Sequence, residues 1–179
     1  MESLDIFIGG GGDDLMPGGG VLWTYARAYA AATDRDVRYV PNGRVGRVLH
    51  LMRDALRAGR AVRVVGHSWG APDAYRAVAA LAAQGLHADL LVTLDPVGGP
   101  FRRPRGAVAP TAWLNVVTDP PHPDRSDRLA HLPPFSRRGG RLPPDADRSV
   151  TLTLHHWDVE AMMAQSGARA LLNGHVREV

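Results

Sequence analysis

Residues 61–72 read AVRVVGHSWGAP. The apolar, β-branched run that ends at Val65 predicts a strand over 61–65. Pro72 suits the first turn of a helix, and an alanine-rich stretch continues from it to Ala83. The stretch therefore predicts a strand, a tight glycine-rich turn and a helix, which is the repeating unit of a parallel sheet covered by helices.

The turn in this unit carries the pattern Gly66-x-Ser68-x-Gly70. A serine on a sharp strand-to-helix turn needs small residues two positions before and after it, because larger side chains would clash there. The predicted strand and helix are the context that this pattern requires. Ser68 is therefore the candidate nucleophile.

The remaining chain alternates between strand and helix patterns. Strands are predicted at 4–8, 37–40, 89–94, 111–117 and 149–154, and helices at about 20–32, 44–58 and 158–172. Residues 119–147 are rich in proline and arginine and lack periodicity, which predicts a long irregular loop. These patterns predict one α/β domain over 1–179, with three layers and a mostly parallel sheet between helices.

Composition is that of an ordinary globular protein, with 45% hydrophobic and 22% charged residues. Cysteine is absent, so neither disulfides nor thiolate metal sites are expected. No signal peptide or membrane span is apparent, which makes a cytoplasmic location the default, with signal-independent export as the alternative.

The chain has 21 basic residues, all of them arginine, and a net charge of +3. The arginines are spread among acidic residues, and no basic helix or aromatic RNA-binding motif occurs. A compositional bias of the genome explains them better than a nucleic-acid partner, which is not expected.

A glycine run, Gly9 to Gly12, follows the first predicted strand. It does not complete a G-x-G-x-x-G motif, and Asp13-Asp14 would repel a pyrophosphate. A Walker A loop is excluded because the chain has no lysine, and Asp13-Asp14 lacks further metal ligands. No cofactor and no metal are therefore expected.

Gly66-His67-Ser68-Trp69-Gly70 after an apolar strand resembles the nucleophile turn of bacterial lipases and esterases of the α/β-hydrolase fold. The strand end Thr93-Leu94-Asp95-Pro96-Val97 is similar to the strand end that carries the acid in several lipases. The resemblance implies a Ser-His-Asp triad in the order serine, acid, histidine.

The resemblance also implies that the base follows the last strand, where His155 and His156 stand. Alternation along that strand favours His156, with His155 as the alternative. Asp95 is the preferred acid because of its local resemblance and its strongly apolar strand. Asp119 is the alternative, since it follows the next strand and occupies the more usual acid position of this fold.

An oxyanion hole in this fold uses two backbone N–H groups. One belongs to the residue after the nucleophile, here Trp69. The other comes from the turn after an early strand, and Gly10 or Gly11 is expected to supply it.

Together these residues predict hydrolysis of a carboxylic ester through an acyl-enzyme, with a small-molecule or lipid ester as substrate. A thioesterase or acyltransferase with the same triad is the alternative, and an inactive interaction protein of this fold is another. Eight arginines between residues 100 and 147 have two interpretations: a solvated connector with no binding role, or a lid or rim that attracts anionic substrates or an anionic lipid surface. They are Arg102, Arg103, Arg105, Arg125, Arg128, Arg137, Arg138 and Arg141.

Overall fold

The computed structural model of the chain describes residues 2–13, 18–98, 108–130 and 146–174. Its strands are β1 (Ser3–Ile8), β2 (Asp36–Val40), β3 (Ala61–His67), β4 (Leu90–Leu94), β5 (Ala112–Thr118) and β6 (Arg148–Leu152). Its helices are α1 (Val21–Ala31), α2 (Val45–Arg57), α3 (Gly70–Ala82), α4 (Arg125–Ala130), α5 (Val159–Gln165) and α6 (Ala168–Leu172).

The six strands form one sheet in the order β2-β1-β3-β4-β5-β6, and every neighbouring pair is parallel. The chain moves from β1 outward to β2 and then returns to the other side of β1 as β3. Strand order therefore reverses between β1 and β3, and ligands of open α/β sheets bind beside such a switch point, at the carboxyl ends of the strands.

Helices cover both faces of this sheet. On one face, α2 and α3 bury a core that includes Val48, Met52 and Leu81. On the other face, α1, α5 and α6 bury Leu22, Met162 and other apolar side chains. The predicted three-layer α/β architecture is thus confirmed.

Two predicted elements differ from the structure. The loop expected over 119–147 contains helix α4, because the Asp124 carboxylate accepts hydrogen bonds from the backbone N–H groups of Ser126 and Asp127, at 2.7 and 3.2 Å. Residues 131–145 of that loop lie outside the described residues. The single helix expected over 158–172 is two helices, because Gly167 adopts a φ of +83° between them.

Within the described part of the chain, no helix is both long enough and apolar enough to cross a bilayer.

Candidate active site

Ser68 stands on a tight turn between β3 and α3 and has a φ of +55°, which is strained for a residue with a Cβ. Its backbone is held on both sides. The Ser68 N–H donates to the Leu94 carbonyl at 3.0 Å, and the Ser68 carbonyl accepts from the Val97 N–H at 3.2 Å. Bonds to the end of β4 therefore fix the turn that presents the serine hydroxyl.

The two glycines of the turn have no room for side chains. A Cβ on Gly66 would lie 2.5 Å from the Gly70 carbonyl oxygen, and a Cβ on Gly70 would lie 2.1 Å from the Ile8 carbonyl oxygen. Because both obstacles are backbone atoms, neither can move aside easily. The steric requirement inferred from the sequence is met at both positions.

His156 reaches the serine from the turn after β6. Its Nε2 lies 3.0 Å from the Ser68 hydroxyl, and its Nδ1 lies 2.5 Å from Oδ2 of Asp95. An ionised carboxylate accepts only, so Nδ1 carries the proton and Nε2 offers a lone pair to the Ser68 O–H. All three side chains are buried, with exposures of 7% for Ser68, 4% for His156 and 5% for Asp95.

Asp95 follows β4 directly and has a φ of +38°, a second strained non-glycine position in this site. Its Oδ1 accepts the Thr118 N–H at 3.1 Å. Burial raises the pKa of Asp95, but the hydrogen bond and charge of His156, with the Thr118 bonds, outweigh it and hold the pKa below its usual value. Asp95 is thus held as the ionised partner of His156.

The two alternative residues lie elsewhere. The His155 imidazole donates from Nδ1 to Oδ2 of Asp127 at 2.7 Å, and this ion pair raises the pKa of His155. Asp119 has an exposed side chain, and its N–H donates to the Leu152 carbonyl at 2.9 Å. The structure brings Asp95 and His156 to Ser68, and it places His155 against Asp127 instead.

The glycine turn after β1 lies over the nucleophile. A Cβ on Gly10 would lie 3.1 Å from the Cβ of Ser68, and a Cβ on Gly11 would lie 2.6 Å from the Trp69 indole. The Gly10 N–H, however, donates to the buried Asp13 carboxylate at 3.0 Å. The Gly10 N–H is therefore engaged by Asp13 in this structure, and the expectation that Gly10 or Gly11 joins Trp69 in an oxyanion hole stays a prediction, with Gly11 as the candidate that remains beside Trp69.

His67, which precedes the nucleophile in the sequence, is a further buried residue of this site. Its Nε2 lies 2.9 Å from the His156 carbonyl oxygen, and the two imidazole rings have centroids 4.7 Å apart. Burial, and then the charge of His156, lowers the pKa of His67 to about 3. His67 is therefore neutral near pH 7, with its proton on Nε2.

One described cluster has the residue types of a metal site: Asp124, Asp127 and His155. Both oxygens of Asp127 already accept N–H groups, from His156 at 3.0 Å and from Asp124 at 2.8 Å. Asp124 in turn accepts from the Ser126 hydroxyl and amide. These bonds account for the cluster as a capping arrangement of α4.

Neither a protein-family model nor a curated protein sequence matches the chain. Solved structures do. A Xanthomonas campestris protein assigned to the α/β hydrolase superfamily is similar with a TM-score of 0.58 and 16% identity, over 98% of this chain and 100% of that one.

Two thioesterases are similar as well. One is the type II thioesterase BorB from the borrelidin biosynthetic cluster, with a TM-score of 0.54 and 15% identity, over 99% of this chain and 94% of that one. The other is the thioesterase RedJ from the prodiginine pathway in Streptomyces coelicolor, with a TM-score of 0.52 and 13% identity, over 97% and 90%. The fold is that of the α/β hydrolases.

Proposed function

We propose that the protein is a serine hydrolase that cleaves a carboxylic ester or thioester through an acyl-enzyme. The observation that carries the proposal is the buried chain of hydrogen bonds from the Ser68 hydroxyl through both nitrogens of His156 to Asp95. A serine hydroxyl is a weak nucleophile at neutral pH, and this arrangement supplies the base and the group that orients it.

In the proposed reaction, Ser68 Oγ attacks the carbonyl carbon while its proton passes to His156 Nε2. The carbonyl oxygen becomes an oxyanion, which the N–H groups of Trp69 and Gly11 would stabilise. The intermediate then collapses, and His156 gives its proton to the departing alcohol or thiol. Water attacks the acyl-enzyme by the same route and restores Ser68.

Asp95 supports these steps through His156. Its carboxylate holds the imidazole in the Nδ1–H tautomer and stabilises the positive charge that forms on the ring. Two neighbouring features favour this role: the Thr118 N–H bonded to Oδ1, and the neutral His67, which adds no second positive charge next to the ring.

Thioester cleavage is the second candidate because two of the similar structures are thioesterases. The same residues would act on either substrate. The hypothesis of an anionic lipid surface stays a prediction: of the eight arginines behind it, only Arg125 and Arg128, on α4, fall among the described residues.

A matched series of oxygen esters and thioesters with acyl chains of increasing length tests the proposal. Wild-type protein should turn over one class with a kcat/KM that depends on acyl length, and Ser68→Ala should lower it by a factor on the order of 10³ to 10⁶. Turnover that survives in folded Ser68→Ala would overturn the proposal.

A further inference from the structure

Two buried side chains hydrogen-bond to the backbone of His156, one at its N–H and the other at its carbonyl. Oδ1 of Asp127 accepts the His156 N–H at 3.0 Å, and the Nε2–H of His67 donates to the His156 carbonyl at 2.9 Å. Asp127 and His67 are each 1% exposed. Both polar groups of the His156 backbone are thus bonded to side chains from distant parts of the chain.

The Asp127 carboxylate is itself held in place by further hydrogen bonds. Asp127 belongs to α4 and forms a reciprocal cap with Asp124, since each of the two carboxylates accepts the backbone N–H of the other residue. Its Oδ2 also accepts the His155 imidazole N–H at 2.7 Å. Helix α4 therefore orients the Asp127 carboxylate, which accepts hydrogen bonds from the His155 imidazole and from the His156 backbone.

Burying His67 leaves one of its ring nitrogens without a hydrogen-bond partner in the described part of the chain, and the bond from its other nitrogen offsets this. Because a carbonyl oxygen can only accept, His67 carries its proton on Nε2, and its Nδ1 is a buried atom with no hydrogen-bond partner among the described residues. An apolar side chain here would remove that unpaired atom. What histidine adds is the Nε2–H donor and a ring packed against the His156 imidazole.

We propose that Asp127 and His67 are positioning residues that clamp the His156 backbone so that its imidazole stays aligned between Ser68 and Asp95. This inference rests on the proposed function, since it assigns His156 as the base. The ring is held by one short bond to Asp95 and one to Ser68, so a shift of its backbone would move both contacts. Misplacement of a reacting group by about 1 Å costs about 10²-fold in rate.

The test pairs a deletion with a conservative change at each end of the clamp. Asp127→Ala removes the acceptor, and Asp127→Asn keeps an oxygen that can accept the His156 N–H. His67→Phe removes the donor but keeps a ring, and His67→Gln keeps an N–H donor. Leu129→Ala is the control, because Leu129 is an exposed neighbour on the same helix.

We expect Asp127→Ala and His67→Phe to lower kcat by about 10²-fold with KM changed by less than about threefold. His67→Gln should recover most of the loss, and Leu129→Ala should match wild type. Asp127→Asn should recover part of the loss, because its oxygen can accept the His156 N–H but its amide nitrogen cannot accept the Asp124 and His155 N–H groups. Two outcomes would overturn the clamp. In one, the deletion and the conservative variants lose kcat equally; in the other, both deletion variants fold and keep the wild-type kcat. If one deletion variant fails to fold, the kcat of the other deletion variant still tests the clamp.

A second readout separates the clamp from the proposed function. With ¹⁵N-labelled histidine, the hydrogen-bonded Nδ1–H proton of His156 can be followed by NMR without any substrate. We expect that resonance to broaden or move in the deletion variants and to persist in the conservative ones, whether or not the protein hydrolyses esters. An unchanged resonance in both folded deletion variants would contradict the clamp, whereas an inactive wild type with these changes would contradict only the proposed hydrolase.

Discussion

Asp95 and His156 are 61 residues apart in sequence, yet Oδ2 of Asp95 lies 2.5 Å from Nδ1 of His156. Parallel pairing produces this contact, because β4, β5 and β6 end at the same edge of the sheet and direct the residues that follow them to one place. The same edge receives Ser68 from β3. Sheet topology thus gathers three side chains that the sequence keeps apart.

The acid assignment can be tested by amide substitution. Asp95→Asn should lower kcat by about 10⁴-fold, because a neutral amide no longer holds the Nδ1–H tautomer or stabilises the imidazolium. Asp119→Asn is the matched control, since its side chain is exposed. The kcat of both variants is measured from initial rates on one ester at pH 7. A larger loss of kcat in Asp119→Asn would assign the role of the triad acid to Asp119.

The two adjacent histidines should differ sharply. His156→Ala removes the proposed base and should lower kcat by at least about 10³-fold. His155→Ala removes a half-exposed ring bonded to Asp127 and should lower kcat by less than about tenfold. The comparison uses kcat of proteins matched for folding by circular dichroism, and the reverse ranking would assign the base to His155.

Burial of neutral His67 should make the protein sensitive to acid. Its folded pKa of about 3 lies below the ordinary value of 6.5, so between these pH values the unfolded chain binds a proton that the folded chain does not. The free energy of unfolding should therefore fall as pH falls through this window, with a contribution approaching about 1.4 kcal/mol per pH unit.

Urea titrations at pH 6.5 and pH 4.5 measure this contribution. We expect His67→Gln to lose about 2 kcal/mol less stability between the two pH values than wild type. His122→Gln, at an exposed position, should behave like wild type. Identical pH dependence in wild type and His67→Gln would show that His67 does not remain neutral in the folded protein.

Gly70 should be the least replaceable glycine of the turn. A Cβ there would meet the Ile8 carbonyl oxygen at 2.1 Å and the Gly9 carbonyl oxygen at 2.5 Å, so β1 and α3 would have to separate. Gly70→Ala should cost about 3 kcal/mol or prevent folding. Gly46→Ala, where the Cβ meets open space, is the control in urea unfolding, and equal stability of the two variants would contradict the predicted clash.

Local patterns were enough to predict most of the strands and the turn at Ser68, because apolar periodicity and the glycine spacing report directly on local packing. Helix α4 was missed because it has only six residues and no apolar period; its one signal is the capping pattern Asp124-x-x-Asp127. Alternation along the last strand favoured His156 over His155, but only the folded chain brings the His156 ring between Ser68 and Asp95.

The glycine turn shows a different limit. Sequence alone could place Gly10 and Gly11 near the nucleophile, since both follow β1. It could not foresee that the Asp13 side chain folds back to accept the Gly10 N–H, with Tyr39 as a further donor at 3.4 Å. The Tyr39 contact depends on β2, which brings Tyr39 beside β1.

Covalent labelling with a fluorophosphonate shows whether Ser68 is an activated nucleophile, because a serine reacts readily only when a base activates it. Intact-mass and peptide mass spectrometry of wild type, Ser68→Ala and the exposed control Ser149→Ala locate the adduct. We expect one adduct on Ser68 in wild type and in Ser149→Ala, and none in Ser68→Ala. A folded wild-type protein that remains unlabelled, or a Ser68→Ala protein that is still labelled, would contradict the assignment of Ser68 as the nucleophile.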